Sequence, residues 1–182
     1  MAADQGRRAR PAGAGHQAKV ALRVAAPRGA YAARVLRGVM ADWTLKVGGS
    51  ELSLSLVTDR EIRRLNCAWR GLDETTDVLS FELGVPGGPL GDVVISLETA
   101  RRQALEGGWP LGHELRRLFA HGLLHCRGYD HDNPRNAGLM AAAERRLLGR
   151  AGMVGESYPE LHAAGKPLSR RPPTPSGRAK KK

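Results

Sequence analysis

Cysteine is scarce in this chain: Cys67 and Cys126 are the only two in 182 residues. Two cannot build a disulfide framework, and in a globular chain with no secretory signal both are expected as reduced thiols of the cytosol. Long apolar runs are missing as well. None approaches the ~18 residues that a membrane helix requires, so a soluble, cytoplasmic protein with no membrane partner is expected. Serine is absent before Ser50. The basic N-terminal segment therefore lacks the composition of an organelle transit peptide, which is rich in serine. No internal repeat is present.

Hydrophobic residues make up 41% of the chain, enough for one domain of this length to bury a core. The net charge of +11 points to an anionic partner, but its distribution says more than its size. Residues 1–37 hold eight Lys and Arg against one acid, residues 38–159 hold fourteen against sixteen, and residues 160–182 hold seven against one. The basicity lies in the ends. Basic extensions at 1–18 and 157–182, the second dominated by Pro, Gly, Ser, Arg and Lys, are expected to lack order and to flank a domain over 19–156. The plain alternative is that both ends are only solvated.

Between the ends the apolar pattern changes period repeatedly. KVALRVA (19–25) alternates as a half-buried strand with Val20, Leu22 and Val24 on one face, and Tyr31–Trp43 has helical spacing. Gly48-Gly49 turns the chain into a strand at Glu51–Val57, and Thr58 or Asp59 can cap a helix to about Trp69 with Ile62, Leu65 and Trp69 inward. Strands are expected at Val78–Leu83 and, more centrally, Asp92–Leu97, separated by the Gly/Pro turn GVPGGPLG. Helices follow at Glu98–Glu106, from Pro110 to Gly128, and at Asn133–Gly149, the last capped by Asp132 or Asn133 with Pro134 in its first turn. The order predicts an α+β single domain, a small mixed sheet of about four strands packed against helices.

The absence that matters most is a glutamate. HGLLHCRGYDH (121–131) sets His121, His125 and His131 at relative positions 1, 5 and 11 with Gly128 at 8, the ligand spacing of zinc proteases of the form H-E-x-x-H-x-x-G-x-x-H, yet Gly122 stands where their glutamate would be. Residues four apart share a helix face, so His121 and His125 can reach one metal, making this a zincin-like helix. Gly128 permits a left-handed exit that returns His131 over the pair. Three histidines leave a coordination position for water, the mark of a catalytic site. Cys126 is rotated ~100° from His125 and reads as a core thiol; His16, His113 and His162 lack ligand spacing and read as surface residues. In a protease the glutamate moves the proton between water and leaving amine. Phosphodiester hydrolysis instead expels an alkoxide through a dianionic transition state, where a metal and an arginine can supply what is needed.

Such an arginine occurs in NCAWRGLDETTDVLSF (66–81). The succession NxxWR, TTDVLSF, LGDVVIS and HGLLHxxGYDH, over roughly Val20 to Gly152, resembles the YbeY family of rRNA maturation endoribonucleases. The resemblance implies a single-strand-specific, metal-dependent endoribonuclease acting in small-subunit (16S) rRNA 3′-end maturation and ribosome quality control. It implies one divalent metal ion per chain, zinc by expectation, on His121, His125 and His131, with Arg70 as the catalytic arginine of the cleft. Asp77 and Ser80 would flank that cleft without a catalytic role, and Tyr129 and Asp130 would shape the turn and orient a histidine. The implied partners are rRNA and the small ribosomal subunit, with no DNA expected. Two other readings compete: a zincin-like metallopeptidase, and a non-catalytic ribosome assembly factor whose metal only staples the fold. The basic ends exceed what the family's domain needs.

Overall fold

Leu52, Leu54 and Leu56 fall on one side of β2 (Glu51–Val57) because side chains alternate along a strand, and all three are buried. In the computed structural model, which describes residues 18–83 and 88–150, β2 lies inside a four-stranded sheet ordered β1-β2-β4-β3. β1 (Lys19–Val24) and β4 (Pro89–Ser96) run parallel to β2 on either side of it. β3 (Val78–Glu82) pairs antiparallel with β4 and forms the far edge. Helices α1 (Ala30–Lys46), α2 (Asp59–Arg70), α3 (Leu97–Gly107), α4 (Leu111–Cys126) and α5 (Pro134–Arg150) complete the order. The α+β class, the mixed sheet and the sequence of elements are those the periodicities predict. The expected basic extensions lie outside the described residues apart from Ala18, as do His16, His162 and the first half of the GVPGGPLG turn.

The sheet separates two apolar layers. Leu52, Leu54, Leu56, Val93 and Ile95 face α1 and α4, with α5 packed in turn on α4, a core in which Trp43 stacks on Phe119 with ring centroids 5.7 Å apart. Val57, Leu79 and Val94 point the other way, onto Ile62 and Leu65 of α2. α4 and α2 therefore cover opposite faces of the sheet, and β3 is the edge that both approach. Among the described residues no helix is long and apolar enough to cross a membrane.

Capping follows residue chemistry. Thr58 accepts the Glu61 backbone N–H at 3.3 Å, Ser96 that of Thr99 at 3.3 Å, and Asn133 that of Asn136 at 2.9 Å, with Pro134 at the first turn of α5 as expected. Asp59, freed from capping, accepts from Thr99 Oγ1 and Arg102 at 2.7 Å each and from Ser96, which locks the start of α2 to that of α3.

Two expectations about burial need correcting. Val20 and Val24 are exposed and only Leu22 is half-buried, because at this edge of the sheet only Leu22 packs against the core. Trp69 is not inward but 47% exposed. The layer beneath α2 ends at Leu79 and Phe81, so its final turn overhangs, and Asn66 takes the buried position instead.

Candidate metal centre

α4 runs through the larger core, burying Leu115, Leu118, Phe119, Leu123 and Leu124, and this packing fixes its rotation. His121 and His125, four residues apart, consequently share one face of the helix, beside the line on which Gly122 meets the sheet. The helix stops in a Schellman motif: Gly128 has φ +85, its N–H reaches the His125 carbonyl at 2.9 Å, and the Tyr129 N–H reaches Leu124 O at 3.0 Å. The chain then folds back, with the Asp130 carboxylate accepting the His131 backbone N–H at 2.7 Å. One ring nitrogen from each of His121, His125 and His131 lies within 4.8 Å of the others. The left-handed exit read from Gly128 thus performs the closure expected of it.

The donor set fits a metal ion. The Nε2 atoms of His121 and His125 stand 3.2 Å apart, and two nitrogens held tetrahedrally at ~2.0–2.1 Å from one ion would be separated by about 3.3 Å. The three rings are mostly shielded from solvent. Burial, reinforced by the neighbouring His121 and His131, pushes His125 down to about 4, so near neutrality its ring is the uncharged imidazole that ligation requires.

Glu144, on α5, is the residue that sequence reasoning missed. Its carboxylate, 4% exposed, accepts from Nδ1 of His121 at 2.8 Å, which fixes the tautomer that leaves Nε2 free for a metal. A readable signal existed: Glu144 sits within the apolar stripe of α5, four residues after Met140 and three before Leu147, both buried. Asp130, expected to orient a histidine through its ring, instead binds the backbone; its carboxylate is 4.0 Å from His131 Nδ1, beyond hydrogen-bond range. Tyr129 shapes the turn through its backbone, and its side chain is exposed.

Gly122 is buried against the sheet. A Cβ there would stand 2.8 Å from Val93 Cγ1, 2.9 Å from Ser80 Oγ and 3.2 Å from Val78 Cγ2. The position that holds a protease's glutamate in the motif therefore faces β3 and β4 with no room for a side chain. Val93, Ser80 and Val78 together occupy this space. Cys126, also buried, has its Sγ 3.7 Å from the Asp92 carbonyl, and burial pushes its thiol up to about 12; it is the inert core thiol expected. His113, expected at the surface, is half-buried on α4.

Arg70 is the last residue of α2, half-buried, with Gly71 ending the helix at φ +70. It belongs to the helix on the opposite face from α4. The loop after it is pinned by three contacts: Asn66 Nδ2 to Glu74 O at 2.9 Å, Arg63 paired with Asp73, and Gln103 Nε2 to Asp77 Oδ2 at 3.1 Å. Asp77 also accepts the Val78 N–H at 2.8 Å, a strand-start cap.

The profile of the family described as Endoribonuclease YbeY matches residues 28–152. An Endoribonuclease YbeY of Anaeromyxobacter dehalogenans is 48% identical over 145 residues, covering 77% of this chain and 75% of that one. One of Myxococcus xanthus is 59% identical over 119 residues, covering 62% of this chain; the match spans only 40% of that longer protein. A solution structure of a Thermotoga maritima protein superposes with TM-score 0.51 at 25% identity, over 81% of this chain and 99% of the other.

Proposed function

The chain belongs to the YbeY endoribonuclease family, and from that premise we propose that it is a single-strand-specific, metal-dependent endoribonuclease of small-subunit (16S) rRNA 3′-end maturation and ribosome quality control. The observation that carries this reading is the three-histidine cluster on a helix whose Gly122 is packed shut, so that the metal ligands of a peptidase are present without its glutamate. A divalent ion held by His121, His125 and His131, zinc on the chemistry of three imidazoles, would supply a Lewis acid and a water acidic enough to react near neutral pH. Glu144 keeps the His121 ring oriented for it. Arg70 is the cation assigned to the phosphate: a dianionic phosphorane gains most from a planar guanidinium that can contact two oxygens. rRNA and the small subunit, in the cytoplasm, are the partners this role requires, and neither DNA nor a membrane is among them.

The test sets unstructured RNA beside casein, with the protein as purified, after chelation, and after zinc is restored. RNA cleavage that follows the metal, with casein untouched, is expected; casein hydrolysis would favour a peptidase. Arg70→Ala should retain fold and metal while cleaving ~10²-fold more slowly, the scale for removing one transition-state donor. Arg70→Lys should recover only part of that. Full activity of the alanine variant would remove Arg70 from the reaction.

A further inference from the structure

The chain has three Trp, three Tyr and two Phe, and most of those in the described residues are committed to packing. Trp43 and Phe119 are buried, Phe81 is half-buried, and Trp109 donates from Nε1 to the buried Glu114 at 2.8 Å. Among the described residues three rings are exposed: Tyr31, Trp69 and Tyr129, at 45, 47 and 37%. The guanidinium of Arg34 covers Tyr31 at 5.7 Å. The other two border β3. Trp69 meets Phe81 edge-on with centroids 5.5 Å apart and directly precedes Arg70. Tyr129 follows Gly128, where a Cβ would lie 3.6 Å from the Glu82 carboxylate, and stands two residues before His131. Since Ser80 abuts Gly122 while its neighbour Phe81 abuts Trp69, a single edge strand separates Trp69 from the histidine helix.

We propose that Trp69 is a stacking subsite for an unpaired base of the RNA substrate, placed within a few nucleotides of the phosphate that Arg70 addresses. This rests on the endoribonuclease reading above. Phe81 covers part of Trp69 and about half of it stays in water; a base laid on that exposed half buries the facing surfaces of both rings, and any base can do so because each has a π surface. Arg70, the next residue and the last of α2, would take a phosphate neighbouring the stacked base, the contact that stacking alone lacks. A base stacked on Trp69 cannot also be stacked in a duplex, so the subsite itself discriminates single strands from paired ones.

The experiment is single-turnover cleavage of unstructured RNA by the metal-loaded protein, with half-saturating concentration and maximal rate determined separately. Trp69→Ala should raise the half-saturating concentration about 5- to 150-fold with metal content unchanged. Trp69→Phe should recover most of the loss and Trp69→Leu, which restores bulk without a π face, should not. Placing one abasic nucleotide at successive positions near the cut should reproduce the loss in the unsubstituted protein and have no effect on the alanine variant. Equal behaviour of the Leu and Phe variants would make Trp69 a packing residue, and insensitivity of the unsubstituted protein to every abasic position would overturn the subsite even if the alanine variant failed to fold. No RNA cleavage by the unsubstituted protein would instead sink the endoribonuclease reading on which the subsite depends.

Discussion

At the scale of single residues the centre depends on groups that touch each other without touching a substrate. Glu144 holds His121 by one hydrogen bond from a buried position, and partners of this kind are worth ~10–100-fold in metal affinity. Glu144→Ala should weaken zinc binding by that factor in a chelator competition, and Glu144→Gln, which keeps an accepting oxygen, by less. Alanine at His121, His125 or His131 should leave well under one metal per chain; full occupancy in all three variants would dissolve the site. A second prediction concerns pH. The His125 ring is pushed from 6.5 to about 4 in the fold, so between those values the unfolded chain holds a proton that the folded chain refuses. The metal-free domain should therefore lose stability as pH falls from about 6.5 towards about 4, by up to about 3 kcal/mol from this group, and this group should contribute no slope above that window. Denaturant titrations at pH 7 and 4.5 measure it, and His125→Gln should remove the difference.

At the scale of elements the decisive contact is α4 on β3 and β4. Gly122 lets the helix approach because it has no Cβ, and the atoms around it belong to Val93, Ser80 and Val78. Alanine there should gain ~1 kcal/mol of helix propensity and lose ~1–3 kcal/mol to overpacking, leaving a net destabilisation in chemical denaturation. Gly122→Glu should be far worse, since a carboxylate would be forced into the sheet face, and it should lose RNA cleavage and metal together without gaining peptidase activity. A glutamate variant as stable as the parent would contradict this packing. The elements themselves were legible in advance because period, caps and breakers agree: Thr58, Asn133-Pro134 and Gly128 all act where their chemistry suits them, whereas Ser96, read as a strand residue, caps α3. Trp69 was misread because a helical stripe says which side faces inward and not where the core beneath it ends.

At the scale of the whole molecule, charge is divided among an N-terminal segment of +7 over residues 1–37, a core of −2 over residues 38–159 and a C-terminal segment of +6. Seven Arg and Lys lie between Lys166 and Lys182. If three or four of them neutralise phosphates of single-stranded RNA, each adds ~0.7 to the slope of log affinity against log salt, about 2 to 3 units in total. Truncation after Pro159 should flatten the slope by that amount and weaken binding at low salt, while metal content and single-turnover cleavage at saturating RNA persist. Superimposable slopes would show the segment to be only solvated. The sequence alone determined the α+β order and the histidine triad, because helix periodicity and a glycine-permitted left-handed turn are local: the spacing of His121, His125, Gly128 and His131 already contains their meeting. Glu144, the closed space at Gly122 and the exposure of Trp69 were decided only by tertiary structure. Each depends on which element packs across from it, and residues 23, 29 and 42 positions apart in sequence, as in Glu144 with His121, Gly122 with Val93 and Gly122 with Ser80, are brought into contact by the fold and by no local rule.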